Sequence, residues 1–469
     1  MLINSKVLAN IISAKVQRDF FISSFSIDSR SLKNNDCFIA LIGNNHNGHN
    51  YIKDAIKNGA SAIIINEDYE ALAKEQLSNF KNYLVVKDTY KALIEIAKYT
   101  RSIFEKPIVG ITGSVGKTTL KEMIAFVFSY NHKVGMTLKN LNNHIGLPLC
   151  LSNLQNDDNI GVFEMGMNRS GEIKFLGEVL KPDIGIITSI GNAHAEFFKA
   201  TKDIALAKLE ILDNLCFEGA FFINLDDEYV DLFYEKASEK NITNIITFSI
   251  SNTNADVYIK DYKMEFKNAD SYGCVVKALI FDYEIDFFIK SLAIHNVIFA
   301  CVALSIASLC GLNMLELSKC LKDFDIPQGR GKISTLKIDK NKVITLIDDA
   351  YNASPKSIKS AIENFNLVKG SKILLLGEML ELGESSIQEH ISLEKAILQQ
   401  KFKRVILVGK NMKPLCEKLP KNNTKYFENI DIAQFYLLQI LANEDILLAK
   451  GSFGSGVHKI VNNIIQTSN

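Results

Sequence analysis

The sequence predicts an α/β protein of three domains, with a mostly parallel central sheet and a doubly wound, Rossmann-like C-terminal part. Three observations carry that expectation. The chain has 469 residues, where roughly 150 residues make a domain. Short apolar runs alternate with helix-length segments over most of its length, the signature of βαβ units. One such run also passes straight into a glycine-rich turn and a helix, as phosphate-binding α/β proteins arrange it.

In chain order, residues 1–83 form the first block. They hold the strand-like segments Asp36 to Leu41 and Ala62 to Ile65, separated by the turn-rich Gly43-Asn44-Asn45-His46-Asn47-Gly48-His49. Residues 84–327 form the second. It opens on a predicted helix from Thr89 to Phe104 and carries buried-strand patterns at Ile108–Ile111, Gly161–Phe163 and Ile184–Ile187. Aromatic and β-branched residues alternate from 255 to 290 and predict an antiparallel appendage. Residues 328–469 form the third, with strands predicted at Val343–Ile347, Ile373–Leu376, Val405–Val408 and Ile446–Ala449.

Composition narrows the class. Lys+Arg and Asp+Glu both number 53, so the basic excess that serves nucleic-acid binding is missing and no such partner is expected. The eight cysteines show no paired metal spacing and read as buried thiols of a reducing compartment. No secretory pattern opens the chain. The most apolar stretch, Val297 to Leu312, carries serines and is shorter than the ~20 residues of a membrane span, so it predicts a buried helix in a cytoplasmic protein.

The chemistry centres on Thr112-Gly113-Ser114-Val115-Gly116-Lys117-Thr118-Thr119. Glycines let backbone N–H groups wrap phosphates, and the helix that follows brings its positive end to the same place. Mg·ATP is the expected ligand, with Lys117 on the β- and γ-phosphates and the Thr118 hydroxyl on the metal. Ile111 stands where the longer form of this motif has its first glycine. A nucleotide-driven switch or motor is the rival class, but the N-K-x-D that reads guanine is absent. Glu164, ending an apolar strand, is a candidate metal ligand. His194 follows another strand end, where a ligand site and a plain loop are equally open readings. Lys208, in a helical run, reads as solvated surface.

Taken together these residues resemble the Mur ligase family of peptidoglycan synthesis over nearly the whole chain. The phosphate loop, Glu164, His194 and Lys208 fall in the family's order. Further similarity lies in Asn142-Asn143-His144-Ile145-Gly146-Leu147-Pro148, Asp348-Asp349-Ala350-Tyr351-Asn352-Ala353-Ser354-Pro355 and Leu376-Gly377-Glu378-Met379-Leu380-Glu381-Leu382-Gly383. In the first block it lies in Asp28-Ser29-Arg30, Phe38–Leu41 and Gly48-His49. The last two boxes resemble the member that joins D-alanyl-D-alanine to UDP-N-acetylmuramoyl-tripeptide. The D-N-P-R of the sister enzyme that adds the third peptide residue does not occur.

The resemblance implies a UDP-sugar-binding first domain, a central ATPase domain and a third domain for the incoming dipeptide, in a monomer. It implies an acyl-phosphate route and two Mg²⁺ ions, one held by Thr118 and Glu164, the other by His194 and a carbamylated Lys208. Gly113, Ser114, Val115, Gly116, Lys117, Thr118, Thr119, Asn296, Arg330 and Asp348 would meet the nucleotide, with His295 beside Asn296. Asn296 could equally be a simple helix cap. Ser29, Arg30, Asn142, Asn143, His144, Tyr351 and Asn352 would meet the other substrates. One departure stands out. The family's K-G-S-R reads Lys450-Gly451-Ser452-Phe453, so any contact made by that arginine is lost or supplied elsewhere.

Overall fold

A computed structural model describes residues 2–77, 80–191, 195–198, 200–339 and 341–468. The first sheet has five strands, β1 (Lys15–Val16), β2 (Ser24–Ser26), β3 (Asp36–Ile39), β4 (Ala62–Asn66) and β5 (Tyr83–Val86), in the order β1-β5-β4-β3-β2. All neighbours are parallel except the β1–β5 pair. Apolar runs on β3 to β5 leave Ile39, Ile64 and Leu84 without solvent contact.

Helix α1 (Thr89–Ile103) begins where the Asp88 carboxylate accepts the N–H groups of Tyr90 and Lys91, a regular N-cap. It is apolar on more than one face. Leu93 and Ile96 pack into the first core, while Ile94 and Ala97 pack into the next. The helix therefore binds the two units together.

The central sheet has nine strands: β6 (Ile108–Thr112), β7 (Val134–Met136), β8 (Ile160–Glu164), β9 (Ile184–Ile187), β10 (Ala220–Asn224), β11 (Ile245–Ser249), β12 (Val257–Asn268), β13 (Ser271–Ile280) and β14 (Tyr283–Ile289). Their order is β14-β13-β12-β11-β10-β9-β6-β8-β7. Strands β6 to β12 are parallel, and β12–β13–β14 form the expected antiparallel appendage. That appendage is more than decoration, because its tip residues Ala269 and Tyr272 are buried in the core of the third unit. Covering the sheet are α2 (Lys117–Ser129) and the apolar α5, preceded by α3 (Glu172–Leu180) and α4 (Thr201–Leu209); α5 spans Ile294–Leu309. Among the described residues no helix is long and apolar enough to cross a membrane.

The third sheet contains β15 (Lys332–Asp339), β16 (Lys342–Asp349), β17 (Ser371–Gly377), β18 (Arg404–Val408), β19 (Thr424–Phe427) and β20 (Asp445–Lys450), ordered β15-β16-β20-β17-β18-β19. Only β15 is antiparallel to its neighbour. The carboxyl ends of parallel strands are where open α/β sheets hold ligands. Here the ends of β6 and β8 face those of β16, β17 and β20 across one cleft of about 1100 Å³.

Candidate active site

The phosphate loop leaves β6 at Thr112 and enters α2 at Lys117, with Gly116 as N-cap at φ 92°. Two glycines are required here by close approach. A Cβ on Gly113 would meet Thr188 Oγ1 at 1.9 Å, and one on Gly116 would meet the Phe299 ring at 2.5 Å. Ser114 ties the loop to the next strand end, its Oγ accepting from Gly191 N–H at 3.0 Å and donating to Gly191 O at 3.1 Å. The Lys117 ammonium folds back to donate to Gly113 O at 2.7 Å. Burial pushes its pKa down; the Glu164 carboxylate opposes that and the Arg330 guanidinium reinforces it.

Thr118 and Glu164 meet as the sequence predicts. The Thr118 hydroxyl donates to Glu164 Oε2 at 2.8 Å, and Asn142 Nδ2 donates to Oε1 at 2.8 Å. Glu164 is buried at the end of β8, with its own N–H on Thr137 Oγ1. A buried carboxylate needs such partners. From the third unit Arg330 reaches the same hydroxyl, Nη2 to Thr118 Oγ1 at 3.2 Å, while its guanidinium lies 4.2 Å from the Tyr351 ring centroid. Two units thus converge on one threonine.

Lys208 departs from its surface reading. It is buried on α4, among Ile204, Ala205, Ala207 and Leu209. Burial, and then the charge of Lys117, push its pKa well below the ordinary lysine range. His194 lies outside the described residues. Among the described residues no three His, Cys, Asp or Glu side chains gather as a metal cluster.

A second cavity of about 990 Å³ opens on the other side of the phosphate loop, lined by Gly116, Thr119, Asn224, His295, Asp349 and Lys450 among others. His295 has its pKa lowered by burial, with Asp349 opposing and Lys450 reinforcing. Asn296 does not cap α5, since Ala293 occupies that position. Its Nδ2 donates to Ser291 Oγ at 3.0 Å, and its buried Oδ1 has no protein partner. Asp348, the aspartate singled out from the sequence, is buried with Oδ2 on Gly329 N–H and Oδ1 on Ala350 N–H. It holds the turn at Gly329 that carries Arg330, while Asp349 lines the cavity and pairs with buried Lys450 at 2.7 Å. The sequence reading missed Asp349 and Lys450. Both stand in stretches that resemble the family, and each is a charge at the end of an apolar strand.

Among the residues expected at the other substrates, Asn142, Asn143, His144, Tyr351 and Asn352 line the 1100 Å³ cleft. Asn143 Oδ1 also accepts from Gly146 N–H at 2.8 Å, and Tyr90 Oη donates to His144 O at 3.3 Å. Asn352 reaches both cavities. Ser29 is buried, whereas Arg30 is exposed in a two-pronged pair with Asp28 that holds the carboxyl down to about 2. His49 is fully buried against Tyr69, ring centroids 4.1 Å apart.

Comparison with known proteins agrees with this arrangement. Family models described as Mur ligase family, catalytic domain, Mur ligase middle domain, and Mur ligase, glutamate ligase domain match residues 21–101, 111–307 and 335–453 in turn. A Rickettsia prowazekii (strain Madrid E) protein named UDP-N-acetylmuramoyl-tripeptide–D-alanyl-D-alanine ligase is 33% identical over 463 residues, 98% of this chain and 99% of its own. In fold, the chain matches MurF from Acinetobacter baumannii with a TM-score of 0.83 at 24% identity over 99% of both chains. MurF ligase from Thermotoga maritima, solved in complex with ADP, matches with a TM-score of 0.75 at 23% identity, covering 95% of this chain and 97% of its own.

Proposed function

The chain belongs to the Mur ligase family, and we propose that it joins D-alanyl-D-alanine to UDP-N-acetylmuramoyl-tripeptide at the expense of ATP, through an acyl phosphate. The observation that carries this reading is the convergence of Lys117, Thr118, Glu164 and Arg330 on one cleft between two sheets. A carboxylate in water has no leaving group and resists amide formation. Moving the γ-phosphoryl of ATP onto the tripeptide's terminal carboxylate supplies one. The dipeptide amine then attacks the acyl carbon, phosphate leaves, and the amine gives up its proton.

Bringing a carboxylate to a triphosphate is opposed by charge, so the site must supply compensating cations. Lys117 and Arg330, which both line the cleft, would supply them. Thr118 and Glu164, already in contact, form a hydroxyl–carboxylate pair of the kind that holds Mg²⁺. The loop glycines let the backbone lie against Thr188 and Phe299, where a Cβ would not fit. Bound there, magnesium would spread the charge of the transferring phosphoryl group. The lowered pKa of Lys208 favours the neutral amine, the form that adds to CO₂ with loss of a proton, which supports a carbamate that would join His194 at a second ion.

The same reading assigns residues 1–83 to the UDP-sugar, with Ser29 and Arg30, residues 84–327 to ATP, and residues 328–469 to the dipeptide, with Tyr351 and Asn352. Asn142, Asn143 and His144 would face the peptide of the nucleotide-linked substrate. Asn296 and His295 would meet the adenine, and the unpartnered Asn296 Oδ1 is an acceptor suited to its amino group. Asp348 would act on the nucleotide indirectly, through the turn at Gly329 that carries Arg330. All eight cysteines are free thiols, and with ATP as co-substrate this fits a cytoplasmic enzyme. The test is phosphate release from ATP that requires both UDP-N-acetylmuramoyl-tripeptide and D-alanyl-D-alanine. Hydrolysis indifferent to the dipeptide would move the chain to the switch or motor class.

A further inference from the structure

Three neighbouring strands of the third sheet each present one apolar side chain to the cleft. Tyr351 follows β16, Phe453 follows β20 and Leu380 follows β17, and these strands are adjacent in the order β16-β20-β17. All three line the 1100 Å³ cleft and remain exposed, at 37%, 57% and 38%. Large apolar groups left bare inside a cleft differ from apolar groups scattered singly on a surface, because a ligand can cover them.

The wall is also held in place. Phe453 stacks on His458 with ring centroids 3.9 Å apart and planes 9° from parallel, and its ring lies 5.8 Å from that of Tyr351. Tyr351 is fixed from the other side by Arg330. The Leu380 N–H donates to Ser452 Oγ at 3.0 Å, and Leu380 Cδ1 lies so close to Gly454 that a Cβ there would meet it at 2.5 Å. Arg330, committed to Tyr351 and Thr118, is the one cation that this unit turns into the cleft among the described residues.

We propose that Tyr351, Leu380 and Phe453 form the subsite that covers the methyl groups of the incoming dipeptide, so that this wall selects small uncharged side chains. The assignment rests on the ligase reading above. It also gives the aromatic ring at position 453 a role of its own: shape and apolarity discriminate there, where a cation would invite a charged acceptor.

The experiment measures KM for D-alanyl-D-alanine, ATP and UDP-N-acetylmuramoyl-tripeptide in the wild type, Phe453→Ala, Phe453→Leu and Leu380→Ala. Each alanine variant should raise the dipeptide KM about tenfold, with the other two constants moving less than about twofold, on the scale of lost apolar pocket contacts. Phe453→Leu should recover most of the loss. Phe453→Arg should narrow the preference for D-alanyl-D-alanine over D-alanyl-D-glutamate. A wild-type dipeptide KM in both alanine variants, or three constants rising together, overturns the subsite while leaving the ligase reading intact. A wild type that forms no amide with D-alanyl-D-alanine overturns the ligase reading, and the subsite with it.

Discussion

The carboxyl ends of two parallel sheets look at each other across one cleft, and they are furnished differently. The central edge offers a glycine loop, the Lys117 ammonium and the Thr118–Glu164 pair, all within about fifty residues of sequence. The third-domain edge offers Tyr351, Leu380 and Phe453, drawn from three separate strand-to-helix loops. Phosphate chemistry needs backbone N–H groups and fixed charges, which one continuous loop can deliver. A pocket for a small apolar acceptor needs surface, which several loops can share. Arg330 is the exception that connects them, rooted in the third unit and ending on Thr118.

The strongest way to break this division is at Lys117. If the central edge carries the charge compensation, Lys117→Ala should lower dipeptide-dependent phosphate release by about 10²–10³-fold, as loss of a preorganised electrostatic contact does. Thermal stability should not fall, because the cost of burying the ammonium, seen in its depressed pKa, offsets its bond to the Gly113 carbonyl. A variant that keeps a tenth of wild-type activity would place the compensating charge elsewhere.

Arg330 sharpens the contrast because it belongs to both edges. Arg330→Lys keeps the charge but loses the planar group that lies on Tyr351 and reaches Thr118 together. The expected result is a fall in kcat of about 10²-fold, with a smaller change in KM for ATP. Full activity in the lysine variant would reduce Arg330 to a point charge.

Two glycines with the same φ separate strain from crowding. Gly116 and Gly331 both have φ of 92°, but a Cβ at Gly116 would strike Phe299 and one at Gly331 would meet nothing within 4 Å. Gly331→Ala should therefore cost about 1 kcal/mol, the lower end for a non-glycine residue held at such an angle. Gly116→Ala should cost about 1–3 kcal/mol more, because Phe299 is packed in the central core. Denaturant midpoints of the two variants check the difference, and equal midpoints would mean that the Phe299 ring yields freely.

Legibility in the sequence follows the same line. The phosphate loop could be read because its residues are consecutive and its glycines answer a local demand. The β12–β14 appendage could be read because strict alternation marks a half-solvated strand. The burial of Lys208 could not, since a helical pattern assumes one free face and α4 is covered on several; only the family resemblance singled that lysine out. At Asp348-Asp349 composition alone was blind: successive strand residues point to opposite faces, so one carboxylate holds the Gly329 turn and its neighbour lines the cavity. Phe453 announced itself only as a departure from a family pattern. Its partner His458 is a sequence neighbour, but Tyr351 comes from the other end of the third domain's sequence.

The first unit gives an effect on stability alone, and it should leave the two edges untouched. His49 is buried with Nδ1 on Asn47 Oδ1 at 2.8 Å and Nε2 accepting from Asn66 N–H at 3.0 Å, so the ring must be neutral to satisfy both. Burial lowers its pKa from the usual 6.5 to about 4. Between those values the unfolded chain binds the proton and the folded chain does not. The stabilising contribution is therefore complete above pH 6.5 and is lost as pH falls toward 4, at a slope of at most about 1.4 kcal/mol per pH unit. Comparing the unfolding free energy at pH 7 and pH 5, the wild type should lose up to about 2 kcal/mol more than His49→Gln. An identical pH dependence in the two proteins would mean that the ring protonates without breaking the Asn66 contact, and that the turn from Gly43 to His49 yields where the cleft's own loops do not.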